Sequence, residues 1–179
     1  MISRCQADRA SGVLLLLKTF IDIIALRRGP ESIPSSWVVL AVALLLMLLS
    51  SYAAVTLIEV PGERNHLVTW SAYAAGLAFY GAVVYLAGHA GRLLPTLTAI
   101  IACGALITLL FVAEFVLFTP LLGRDVAGLL ATLIVFWSVP VEGHIMARAI
   151  GQHWFVGIVI AIVAFTLQYG LQSMLRAPA

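Results

Sequence analysis

Glu114 is the acidic residue whose surroundings most demand an explanation. It stands inside an apolar run, flanked by Phe111, Val112, Phe115 and Val116. A carboxylate in such a run, if the run crosses a bilayer, is costly and must face protein or water. Two roles fit it: a hydrogen-bonded structural carboxyl close to one membrane surface, or a proton or ion site on a polar path. Counting along the helices at 1.5 Å per residue brings Ser51, Tyr52, Tyr73, Gln168 and Tyr169 to a similar depth. Because a buried carboxyl without partners is penalised, the sequence predicts that Glu114 points inward and bonds at least one of these five.

A second group is Glu142, His144 and Arg148, in the segment Val139-Pro-Val-Glu-Gly-His-Ile-Met-Ala-Arg148. His144 and Arg148 are four apart and share a helix face, whereas Glu142 and His144 are two apart and diverge. A zinc-binding helix wants two ligands on one face, so these three are read as the polar cytoplasmic end of a helix. Pro140 can kink that helix and Gly143 permits close packing. His89 and His153 fall in loops at the same end as His144, but nothing in their spacing fixes a metal geometry. Cys5 and Cys103 lie too far apart in character to suggest a disulfide or a metal framework. No Ser/His/Asp set, H-E-x-x-H, P-loop or dinucleotide fingerprint occurs. The chain is therefore expected to have no catalytic residues, no cofactor and no metal, and to be no enzyme.

The elements that carry these residues follow from composition. Soluble chains are about 25% charged; this one is 10% charged and 63% hydrophobic, with a mean hydropathy of +1.09. Five apolar runs, 37–58, 67–87, 95–119, 126–147 and 154–174, are each long enough to span a bilayer. The separators carry turn and charge signals: Glu59-Val-Pro-Gly-Glu-Arg64, Gly88-His-Ala-Gly-Arg92, Pro120-Leu-Leu-Gly-Arg-Asp125 and Arg148-Ala-Ile-Gly-Gln-His153. Loops this short make consecutive helices antiparallel neighbours. The expected fold is an all-α membrane protein, a five-helix transmembrane bundle over 37–175. Small residues at helical spacing, Ala74, Ala78 and Ala82 beside Ala72 and Gly76, and Gly157 with Ala161, would let backbones approach within the bundle or in a dimer. The net charge of +2 and the lack of a basic-aromatic patch argue against nucleic acid as a partner; the partners expected are lipid and other membrane proteins, or a second copy.

Residues 1–36 form a cytoplasmic segment in this reading. Within it, 11–28 is expected to be an amphipathic interfacial helix, with Ser11 as N-cap and Lys18 and Asp22 on the same stripe. Arg27 and Arg28 complement its C-terminal dipole, and Gly29-Pro30 stops it. Phe20 and Ile24 would sit at the acyl boundary; the alternative is a cover packed on the bundle. Of the ten Lys and Arg residues, Arg4, Arg9, Lys18, Arg27, Arg28, Arg92 and Arg148 fall on one side. Arg64, Arg124 and Arg176 fall on the other, so the N-terminus is expected inside and the C-terminus outside.

This layout resembles the Yip1-domain proteins, on Phe20-Ile-Asp-Ile-Ile-Ala-Leu-Arg-Arg-Gly-Pro30 leading to Ile33-Pro-Ser-Ser36, and on Phe136-Trp-Ser-Val-Pro-Val-Glu-Gly-His-Ile145. It looks like the compact bacterial members, which implies the inner membrane. The acidic tail and D-L-Y-G-P element of the eukaryotic members are missing, so their role in Rab-linked vesicle traffic does not transfer. The resemblance implies a non-catalytic scaffold or adaptor that binds membrane proteins or shapes the bilayer. The alternatives are a small transporter or channel using Glu114, and an accessory subunit of a larger membrane complex.

Overall fold

The structure is a computed structural model that describes residues 2–58 and 66–176. The first loop, with Arg64, lies outside the described residues. The described chain is helical throughout: α1 (Ile2–Ile24), a 3-10 turn (Pro30–Ser32), α2 (Trp37–Leu57), α3 (His66–Leu86), a second 3-10 turn (Ala90–Arg92), α4 (Leu93–Leu122), α5 (Arg124–Ile150) and α6 (Trp154–Arg176). Five of these, α2 to α6, are long and apolar enough to cross a membrane. The chain is an all-α protein whose five apolar helices fit an integral membrane protein. At 30 and 27 residues, α4 and α5 exceed the roughly 20 that a hydrocarbon core requires.

Helix ends follow local chemistry. Gly88, Gly123 and Gly151 hold positive φ where the chain turns, a region closed to most side chains. At the end of α5, Gly151 and Gln152 both donate to the Ala147 carbonyl. The Arg92 guanidinium donates to the carbonyls of Arg148 (3.3 Å) and Ala149 (3.1 Å), so a side chain from another loop satisfies orphan acceptors of that last turn. Pro140 sits inside α5 without ending it.

α4 is the axis of the bundle. α2 packs along it, α5 packs on both α4 and α6, and α3 lies against α6. α5 and α6 cross almost in backbone contact: a Cβ added at Gly157 would lie 1.9 Å from the Gly143 carbonyl oxygen, and one at Gly143 would lie 2.9 Å from Ile158 Cα. Ala161 is buried in the same contact. On α3 the buried face is Ala72, Gly76, Tyr80 and Val84, while Ala74, Ala78 and Ala82 face outward. That alanine stripe does not pack within the chain.

Two expectations are corrected. α2 and α3 are consecutive yet scarcely touch. The connecting residues 59–65 can reach across more than about 20 Å when extended, so they do not force the helices together. The N-terminal helix begins at Ile2, which leaves Ser11 inside it rather than at its start, and stops at Ile24. It stops there because Leu26 takes a positive φ of 60° and Arg27 N–H reaches back to the Asp22 carbonyl. Its last turns dock on α4 and α5: Phe20 is 6% exposed and Ile23 0%. Phe20 is therefore in the protein core, not at an acyl boundary, and Ile24 is half-buried against that core. Leu14, Leu15, Leu17 and Ile21 face outward.

Candidate functional site

Between the separated helices α2 and α3, above α4 and α5, lies a cavity of about 470 Å³. Ser50 and Ser51 line it from α2, Thr69, Trp70 and Tyr73 from α3, Gly104, Thr108 and Phe111 from α4, and Val135, Ser138 and Glu142 from α5. Its volume falls in the range of small-molecule sites, and like them it is mostly apolar with a few placed polar groups. The exposed residues among its walls, Val55, Thr69, Trp70 and Val135, mark its rim. Val55 and Trp70 are close to where α2 ends and α3 begins.

Glu142 closes the other end. The Tyr80 hydroxyl donates to Glu142 Oε2. Thr69 and Tyr80 are 11 positions apart on α3, so rim and floor are separated by about 16 Å at the helical rise. Glu142 itself is eight residues, or about 12 Å, from the end of α5. Beyond it the protein is solid: Val84, Val141, Ile145 and Met146 are completely buried. The cavity is a well with a carboxyl group at its foot.

The walls are built by helical repetition. Val135, Ser138 and Glu142 fall on one stripe of α5, and Tyr73 and Tyr80 on one stripe of α3. Gly104 faces Tyr73 across the well: a Cβ there would meet the Tyr73 hydroxyl at 3.9 Å, an ordinary contact. Three wall hydroxyls donate back into their own helices, Ser50 to Met47 O at 2.9 Å, Thr108 to Gly104 O at 2.9 Å and Ser138 to Val135 O at 2.7 Å. Back-bonding is the usual resort of a hydroxyl in an apolar helix, and it leaves each oxygen with acceptor capacity.

The residues singled out from the sequence are dispersed. Glu114 does point inward, at 8% exposure, but neither carboxyl oxygen has a hydrogen-bond partner among the described residues. The expected bond to Ser51, Tyr52, Tyr73, Gln168 or Tyr169 is not made. Matching depth placed those residues at the right height, but not at the right angle around their helices. Tyr52 and Tyr169 point away from the bundle, at 70% and 68% exposure. Gln168 lies over Gly76, where an added Cβ would be 2.2 Å from its Nε2. Ser51 and Tyr73 belong to the well. Glu114 is one turn beyond Phe111, outside the well lining.

Glu142 diverges from His144 and Arg148 as their spacing requires. Glu142 faces the well. On the other side of α5, His144 Nε2 donates to the Arg28 carbonyl at 3.0 Å. Arg148 Nε lies 3.5 Å from Glu31 Oε1, and Trp137 Nε1 donates to the Ile24 carbonyl at 3.2 Å. Arg28 also pairs with Asp22 at 3.4 Å, and Arg27 is exposed. His89 bonds the nearby Ala87 carbonyl and His153 stacks on Phe155; among the described residues no three metal-binding side chains come together. Tyr80, Ser50, Trp70 and Ser138 were not anticipated. The seven-residue repeats joining Val135 to Glu142 and Tyr73 to Tyr80 are the signal that could have found the site.

No family model, curated protein or solved structure matches this chain.

Proposed function

We propose that this protein is a small, non-enzymatic membrane binding protein of the carrier type, which takes a small molecule into the well between α2 and α3. The observation that supports this is the well itself, polar at its foot and sealed below by tightly packed apolar residues. A structural bundle gains nothing from a hollow of this size, since each lost contact costs packing energy. The reading belongs to the transporter class that Glu114 first suggested, but Glu142 takes the central place. With the N-terminus cytoplasmic, as the distribution of Lys and Arg favours, the rim faces the exterior.

The test is chemical access. In a background with Cys5→Ser and Cys103→Ala, Ser51→Cys is expected to react with N-ethylmaleimide in proteoliposomes far faster than Ala99→Cys, which lies in the solid part of the bundle. Small amphiphiles dissolved in the membrane should slow the reaction. If Ser51→Cys is as inert as Ala99→Cys, or if a broad panel of amphiphiles leaves its rate untouched, the reading fails.

A second reading concerns α1. Its outward Leu14, Leu15, Leu17 and Ile21 beside the exposed Lys18 favour an amphipathic helix seated against the cytoplasmic leaflet. This is the feature that a Yip1-like scaffold would use.

A further inference from the structure

We infer that the ligand of the well is an organic ammonium ion, bound with its N–H donors at Glu142 and its hydrocarbon part along the aromatic wall; this rests on the binding reading above. The first argument is charge. Glu142 is the only carboxyl group among the residues that line the well, with no Lys, Arg or His beside it. A cation is the ligand that such a wall complements.

The second argument is the direction of the hydrogen bonds. The hydroxyl hydrogens of Ser50, Thr108 and Ser138 are already donated to backbone carbonyls. What these groups offer the well is acceptor capacity. The Tyr80 hydroxyl likewise donates its hydrogen bond to Glu142. At these three hydroxyls and the Glu142 carboxyl a ligand meets acceptors, which suits an ammonium group and not a carboxylate or ether. The third argument is the wall above: Trp70, Tyr73 and Phe111 present aromatic surface, which suits both a cation and an alkyl or aryl chain.

The experiment uses the full chain carrying Ser51→Cys in the cysteine-free background, in nanodiscs of zwitterionic lipid. Protection from N-ethylmaleimide is titrated with n-hexylammonium, n-hexanol and n-hexanoate, which share one hydrocarbon chain. n-Hexylammonium is expected to protect at a concentration lower than n-hexanol by roughly tenfold or more, the worth of one charge-assisted hydrogen bond. Glu142→Gln is expected to erase that difference while leaving protection by n-hexanol unchanged. If Glu142→Gln does not fold, Glu142→Asp, which withdraws the charge by one methylene, should weaken n-hexylammonium selectively. Equal protection by amine and alcohol, or stronger protection by n-hexanoate, would overturn the ammonium assignment and leave the well as a binding site. Protection by none of the three, despite fast labelling, would overturn both.

Discussion

From Pro95 to Ile107, α4 is buried on nearly every side, whereas from Thr108 to Leu122 only Val112 and Glu114 are. The same helix thus passes from a solid half of the bundle into a hollow one. In the solid half, α1 and the turn at Pro30 fold back over α4 and α5, and Phe20, Ile23 and Ile33 join Ala99, Ile101, Ile145 and Met146 in one core. In the hollow half α2 and α3 stand apart, and the well opens between them. The difference teaches what the N-terminal segment is for. The five long apolar helices do not enclose α4 by themselves; α1 completes the packing at one end, and the well stays open at the other.

The largest expected effect is in the solid half. Ile145 is completely buried, and Ile145→Ala should lower stability by roughly 2–5 kcal/mol. The value should fall toward the lower end, because lipid gives no hydrophobic drive for packing and only the lost contacts count. Unfolding of the reconstituted protein by titration with sodium dodecyl sulfate measures it. In the hollow half Ser51→Leu, which fills empty space, should change stability by less than about 1 kcal/mol. If Ser51→Leu is the more damaging of the two, the hollow half is as tightly packed as the solid one and the comparison breaks.

A smaller effect of opposite sign is expected at Glu114. Its carboxyl group is buried without a hydrogen-bond partner among the described residues, so the protein bears its desolvation without compensation. Glu114→Leu should therefore raise stability by roughly 1–3 kcal/mol in the same assay, and Glu114→Gln should leave it near wild type. A loss of stability on Glu114→Leu would show that the carboxyl has partners after all. Neither change should alter the labelling of Ser51→Cys, since Glu114 is outside the well.

These two carboxyls also show what could be read in advance. The five spans and the all-helical fold follow from hydropathy, because any stretch of about 20 apolar residues must cross as a helix to satisfy its backbone. Height within the membrane follows too, because the rise per residue is fixed. What the sequence does not carry plainly is the angle of each helix about its axis. In a helix apolar all round, the stripe that faces protein is no more hydrophobic than the stripe that faces lipid. Glu114 and the five residues at its depth were therefore grouped by height alone. Glu142 is grouped with His144 and Arg148 at the end of a helix, because nothing in the sequence says that its stripe of α5 faces the well while theirs meets the chain from Ile24 to Glu31. Phe20 was misplaced for the same reason: its apolar side chain satisfies lipid and core alike, and only the fold decides.

The smallest expected effect tests what holds that N-terminal segment. Its polar ties to α5 are numerous: Trp137 to the Ile24 carbonyl, His144 to the Arg28 carbonyl and Arg148 to Glu31. Its apolar ties are few but buried, Phe20 and Ile23. The Arg148 and Glu31 side chains are each about half exposed, at 52% and 49%, where water and salt screen the pair and such contacts are worth roughly 0–1 kcal/mol. A truncated buried aromatic side chain leaves a cavity that costs several times as much. Glu31→Gln should therefore change the sodium dodecyl sulfate midpoint barely measurably, and raising the salt concentration should reproduce that small change in the wild type. Phe20→Ala should release α1, seen as new proteolytic cleavage between Asp22 and Ser36 at unchanged insertion of the five spans. The reverse order, with cleavage provoked by Glu31→Gln or by salt and not by Phe20→Ala, would mean that the segment is an electrostatic latch on α5, and that the solid half of the bundle is held shut from its surface and not from its core.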